Sequence, residues 1–183
     1  MELPNARHLF PEVQQRADEW SIPAGLEVLL HYFGIAKPTQ EEMVLRFDEM
    51  FSRHGYIILG KPAKFLTKPT IQHLALCGFP APHGNFDGFT TVANSLLPAD
   101  CDRIFCHPND CDKKFENYLT GALKKGDGIL GVIRLKNGNC HALPIIGYNG
   151  SDVTVYDPCP GIIDTKAIGD FTFNRDCVLL MNK

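Results

Sequence analysis

Four side chains in this 183-residue sequence have types and spacings suited to acyl-transfer chemistry: Gln15, Ser21, His141 and Asp157. His141 stands near the start of "CHALPIIGY" (140–148) and Asp157 ends "VTVYD" (153–157), on either side of an "NGSD" turn (149–152). In an antiparallel hairpin the turn fixes which residues lie opposite. A turn centred near residue 149 sets His141 across from Asp157, on one face with the apolar Leu143, Ile145, Val153 and Val155. A carboxylate beside an imidazole at the rim of a core fixes the tautomer and stabilises the imidazolium, and the other ring nitrogen is left to act on a nucleophile. The same register also serves a plain structural hydrogen bond, and spacing alone leaves both readings open.

The nucleophile position would be the start of a buried helix, where the helix dipole favours negative charge. A cysteine there, next to a histidine, can have its pKa lowered from about 8.5 into a range of about 3.5–7.5. This sequence has Ser21, and a serine before an apolar run is also a preferred helix cap. Gln15, six residues earlier, carries a side-chain amide able to donate a hydrogen bond to an oxyanion formed at position 21.

These residues need elements to hold them. "SIPAGLEVLLHYFG" predicts a helix over 22–33, with Ser21 as its N-cap, Pro23 at a tolerated early position and Gly34 as the stop. Ile22, Leu26, Leu29, Leu30 and Phe33 share a broad face, so this helix is expected to be central and buried. A second helix is expected over 40–53, opened by a Thr39/Glu42 capping box and closed near Gly55. Shorter helices are expected over 70–77, 91–97 and 112–125, the last with Phe115, Tyr118, Leu119 and Leu123 on its apolar side.

After about residue 126 the period changes from helical to alternating. Strands are expected over 128–135, 140–148 and 153–157, joined at "NGN" (137–139) and "NGSD", with a further hairpin of 171–173 and 177–181. Pro144 argues against a fully central place for the second strand. The expected fold is α+β, one domain over 1–183, with a helical part over about 1–126 and an antiparallel sheet over about 127–183.

Composition narrows the function classes. With 44% hydrophobic and 21% charged residues the chain is ordinary for a globular domain, and disorder is not expected. A net charge of −3 provides no global field for nucleic acid or an anionic membrane. The start "MELPNARHLFPEV" lacks the pattern of a secretory signal, and no apolar run spans a bilayer, so no membrane insertion is expected. The expected location is cytoplasmic, or outside the cell by a leaderless route, as a secreted effector or toxin would use.

Seven cysteines without such a signal read as reduced thiols rather than a disulfide framework. Cys101, Cys106, His107 and Cys111 fall within eleven residues and raise a zinc hypothesis, but they lack the tight C-x₂-C knuckle, so no metal is expected. Cys140 neighbours His141 on a strand and points to the opposite face, whereas Cys159 lies in the proline-rich turn after Asp157. "GFPAPHGNFDGF" (78–89) reads as a long surface loop able to edge a substrate groove.

Taken together, Gln15, then "SIPAGLEVLLHYFG", then "HALPIIGYNGSDVTVYDP" resemble the papain-like cysteine peptidases of the bacteriocin-leader (double-glycine) type. In that family a glutamine precedes a C-(G/I)-P-A helix start, the helix ends in an aromatic–Gly pair, and a His strand is followed by a strand ending in Asp-Pro. The resemblance spans residues 15–158 and is carried by two short blocks; the middle, 40–125, contributes no motif. It implies a papain-like helical lobe packed on an antiparallel sheet. Gln15 takes the oxyanion position, His141 that of the base and Asp157 that of its orienter, with a peptide or protein as substrate and no cofactor.

Ser21 is the departure, standing where the family has cysteine. Three readings stay open: a substitution that keeps the shape and disables the chemistry, a naturally inactive peptide-binding module, and a Ser-His-Asp hydrolase. Glutamine deamidation and acyl transfer use the same groups as peptide cleavage. An exporter-fused leader peptidase is not expected, because the sequence shows no transporter segment.

Overall fold

The helix opening at Ser21 is buried over most of its length. In a computed structural model that describes residues 1–4, 13–17, 20–54, 57–58, 61–62, 94–98, 104–106, 115–135, 140–171 and 177–181, this helix, α1, runs Ser21–Tyr32, and every residue from Ser21 to Leu30 is buried. It starts one residue earlier than the sequence suggests. Trp20 occupies the cap position, no side chain caps the helix, and the first helical bond is Ala24 N–H to the Trp20 carbonyl at 2.9 Å. Ser21 is therefore the first helical residue and not the cap.

Its C-terminal end follows the expectation in detail. Gly34 has φ 75°, its N–H donates to the His31 carbonyl, and Ile35 N–H donates to the Leu30 carbonyl, both at 2.9 Å. These two bonds form a Schellman stop, which satisfies two of the last helical carbonyls.

Helix α2 spans Gln40–His54. Its capping box is present: Thr39 N–H donates to Glu42 Oε2 at 2.9 Å, and Glu42 N–H donates to Thr39 Oγ1 at 3.4 Å. Residues 94–96 are also helical. Helix α3, Phe115–Lys125, buries Phe115, Leu119, Ala122 and Leu123.

The strands are β1 Ile57–Ile58, β2 Lys61–Pro62, β3 Ile104–Cys106, β4 Gly128–Arg134, β5 Cys140–Tyr148, β6 Asp152–Asp157, β7 Ile162–Ala167 and β8 Cys177–Met181. β1 and β2 pair by themselves; the others form one antiparallel sheet in the order β3-β8-β4-β5-β6-β7. The fold is α+β, with helices beside an antiparallel sheet.

Alternation along the strands divides the core in two. Leu130, Val132, Ala142, Ile146 and Tyr156 pack with Ile22, Leu26, Leu29 and Leu30 of α1. Ile129, Ile133, Leu143, Ile145, Val153 and Val155 turn the other way, toward Phe115 and Leu119 of α3 and toward Phe171. α1 thus covers one face of the sheet and Phe115 and Leu119 of α3 the other, while Leu123 of α3 joins the α1 cluster.

Several expectations change. β5 lies between β4 and β6 despite Pro144. Pro144 pairs with Leu130 of β4 and its ring lies close to Gly25 of α1, so packing between helix and sheet holds a proline, which has no N–H to donate, inside the strand. The half before residue 126 is not purely helical, because β3 adds an edge to the main sheet through β8. Phe171 and β8 do not form a hairpin with each other: Phe171 bridges Ile133, and β8 pairs with Gly128–Gly131 of β4. β7 escaped the sequence reading because "IIDTKA" at an exposed edge lacks a clean apolar alternation.

The N-terminal residues also join β5. Leu3 N–H donates to the Ile146 carbonyl at 2.7 Å, and Tyr148 N–H donates to the Met1 carbonyl at 2.8 Å. The expected helix at 70–77, the loop at 78–89, the "NGN" turn, and the zinc candidates Cys101, His107 and Cys111 lie outside the described residues; Cys106 is in β3.

Candidate active site

The hydroxyl of Ser21 is buried and accepts a hydrogen bond from Ala142 N–H at 3.3 Å, across 121 residues of sequence. Two physical features bring it there. Ser21 is the first residue of α1, and α1 packs against β4 and β5, so its start meets the start of the His141 strand. Because Pro23 has no N–H and Ala24 makes the first helical bond, the N–H groups of Ser21 and Ile22 have no acceptor within the helix. Such groups at a helix start favour developing negative charge.

His141 Nε2 lies 2.9 Å from Asp157 Oδ1, with the two side chains 14% and 18% exposed. The contact forms although the strands are two residues out of the expected register. Ile145 pairs with Val155, and a bulge follows before Gly147 pairs with Thr154. Continued from Ile145, this register sets Asp157 opposite Leu143, with His141 as its diagonal neighbour. The imidazole is long enough to reach across.

Asp157 Oδ1 also accepts from Cys159 N–H at 3.0 Å, in the turn that follows β6. Burial pushes this carboxyl up. The hydrogen bond and charge of His141, the Cys159 N–H and the charge of Lys166 outweigh it and hold the group below its ordinary 3.8. With Nε2 engaged by Asp157, Nδ1 is the ring nitrogen left for chemistry. Ser21 and His141 share no hydrogen bond; Ser21 is tied to the backbone one residue beyond His141.

Gln15 lies in an irregular segment, 13–17, whose peptide groups find partners elsewhere, as such a segment requires. Tyr156 Oη donates to the Val13 carbonyl at 2.8 Å, and Gln15 N–H donates to the Pro158 carbonyl at 2.7 Å, next to Asp157. The Gln15 amide donates through Nε2 to the Ala17 carbonyl at 2.6 Å, and its Oε1 is buried with no hydrogen-bond partner among the described residues. One amide hydrogen thus remains beyond the bond to Ala17.

Gln40 and Glu27 join this segment to α1 and α2 through partly buried hydrogen bonds to its main chain and a buried one between the two side chains. Neither was singled out in the sequence. A polar residue at a helix start and a glutamate within a helix read as solvated, and only their burial, 0% and 2% exposed, sets them apart. Cys159 is exposed. Among the described residues no group of three His, Cys, Asp or Glu side chains is arranged to hold a metal, and no helix is long and apolar enough to cross a membrane.

No protein-family model and no curated protein matches the sequence. A solved structure does. The fold is similar to that of a "putative C39-like peptidase" from Bacillus anthracis. The match covers 100% of this chain and 98% of the other with a TM-score of 0.58, at 12% sequence identity. At that identity the likeness concerns the peptidase-like fold and not the chemistry of individual residues.

Proposed function

We propose that this chain carries a papain-like thiol-hydrolase site for a peptide (amide) bond, with Ser21 at the nucleophile position and the serine form inactive or nearly so. The observation that carries the reading is the Ser21–Ala142 contact. It brings a buried helix-start hydroxyl to the strand of His141, whose ring is already paired with Asp157.

With cysteine at position 21, the thiolate attacks the carbonyl carbon and the carbonyl electrons move onto oxygen. The Gln15 amide and the residue-21 N–H stabilise that oxyanion. The amine leaves with a proton from His141, and water, deprotonated by His141, hydrolyses the thioester. Asp157 keeps Nε2 occupied, so Nδ1 performs both transfers. A serine hydroxyl stays protonated beside an imidazole that readily ionises a thiol, and a serine form of the site would bind a peptide without cutting it. Deamidation and acyl transfer would differ only in the leaving group and the acceptor.

The test is thiol reactivity of Ser21→Cys. With iodoacetamide at mildly acidic pH, residue 21 is expected to alkylate at least about tenfold faster than the native cysteines, and adding His141→Ala abolishes the difference. A peptide library read by mass spectrometry then shows cleavage with Ser21→Cys and none with the parent. An introduced thiol no faster than the native ones sinks the catalytic reading.

A further inference from the structure

Gln40, the first residue of α2, is fully buried, and its amide grips the main chain on both sides of Gln15. Its Nε2 donates to the Gln14 carbonyl at 2.9 Å, and its Oε1 accepts from Arg16 N–H at 3.1 Å. Nε2 also donates to Glu27 Oε2 at 2.6 Å. Glu27 projects from α1, the helix that begins at Ser21, and its other oxygen lies 3.4 Å from the Arg16 guanidinium, which also pairs with Glu41.

Glu27 settles which way the Gln40 amide faces. A carboxylate accepts and does not donate, so it must meet the NH₂ end, and the carbonyl end is then left for Arg16 N–H. Both amide hydrogens of Gln40 are used, and one unique orientation satisfies all three partners. We propose that Gln40, oriented by Glu27, is a positioning residue that holds the Gln15 amide in place as an oxyanion donor. This rests on the reading of residue 21 as the nucleophile position.

The arrangement has a physical purpose that core packing alone would not require. An oxyanion donor is effective only when its N–H is fixed before charge develops. Gln15 stands in a segment without regular structure, so its place must be imposed from outside. The clamp takes that place from α1 itself. The residue-21 position and the Gln15 backbone are thereby referred to one helix, through Glu27 and Gln40. Apolar side chains at 27 and 40 would bury the same area without orienting anything.

Two probes on a Ser21→Cys background separate positioning from general support. p-Nitrophenyl acetate reacts through an oxyanion: the thiolate adds to the carbonyl carbon, p-nitrophenolate leaves, and a thioester remains. Iodoacetamide is attacked at a saturated carbon, with loss of iodide and no oxyanion. Rates are read at residue 21 by mass spectrometry, so the native cysteines do not contribute.

Gln40→Ala is expected to slow acylation by about 10- to 100-fold, less than or equal to the loss of a whole oxyanion donor, and to leave alkylation within about threefold. Gln15→Ala should do the same, and combining the two should add little to either alone. Should Gln40→Ala fail to fold, Gln40→Met keeps the volume while removing both ends of the amide, and it should show the same selective loss. Glu27→Gln, which still offers Gln40 an acceptor oxygen, should retain acylation within about threefold.

Parallel loss in both probes, no loss in either, or effects of Gln15→Ala and Gln40→Ala that multiply would overturn the proposal. Slow alkylation of Ser21→Cys itself also overturns it, and that failure belongs to the site reading, because it shows before Gln40 is changed.

Discussion

Asp157→Asn tests the pair that orients His141. In the parent, Asp157 Oδ1 takes two donors, His141 Nε2 at 2.9 Å and Cys159 N–H at 3.0 Å. A hydrogen bond to an ionised group contributes about 1.5–3 kcal/mol. Asparagine keeps an acceptor oxygen and the shape but loses the charge, and the pair is partly open to water, with side-chain exposures of 14% and 18%. The expected cost is therefore near the low end, about 1–2 kcal/mol at pH 7.

The pH dependence has a definite sign. The folded carboxyl titrates below its ordinary 3.8, so its contribution is fully present above that value and is lost as pH falls through the lower folded one. Urea unfolding of parent and variant should show the full gap at neutral pH, an undiminished gap near pH 5, and a closing gap below about pH 3.8. A cycle with His141→Ala should give a coupling of about 1 kcal/mol at neutral pH. A gap that stays constant down to the acid end, or coupling below about 0.3 kcal/mol, would refute the reasoning, because the pair would then not be charge-assisted.

Two further substitutions probe the elements that frame the site. Gly34→Ala should cost about 1–2 kcal/mol through strain alone, since φ is 75° and nothing lies within 4 Å of the added carbon; a lowered melting temperature with unchanged helix content checks it. Tyr156→Phe removes the donor to the Val13 carbonyl, leaves that acceptor buried and should cost about 1–3 kcal/mol in urea unfolding. If the ring alone anchors segment 13–17, the phenylalanine variant will match the parent.

Local pattern by itself determined a good deal of this protein. The α1 stop at Gly34, the Thr39/Glu42 box and the shared face of Leu143, Ile145, Val153 and Val155 follow from interactions within a few residues or from the period of a strand. Those forces act wherever the segment lies, so they can be read without knowing the fold. The α+β class followed for the same reason, from a change of period near residue 126.

Tertiary packing decided the rest. Ser21 reads as a cap in isolation, because a serine before an apolar run normally bonds to its own helix. In the folded chain Trp20 takes the cap position, and the hydroxyl turns to Ala142 on a strand that α1 covers. The hairpin register sets Asp157 opposite Leu143 and not His141, yet a side-chain contact that tolerates a diagonal survived. The sheet order, with β8 between β3 and β4, and the Gln40–Glu27 grip on segment 13–17 join residues remote in sequence. Such partners are chosen by which surfaces pack and which buried polar groups need one another, and no local propensity encodes that choice.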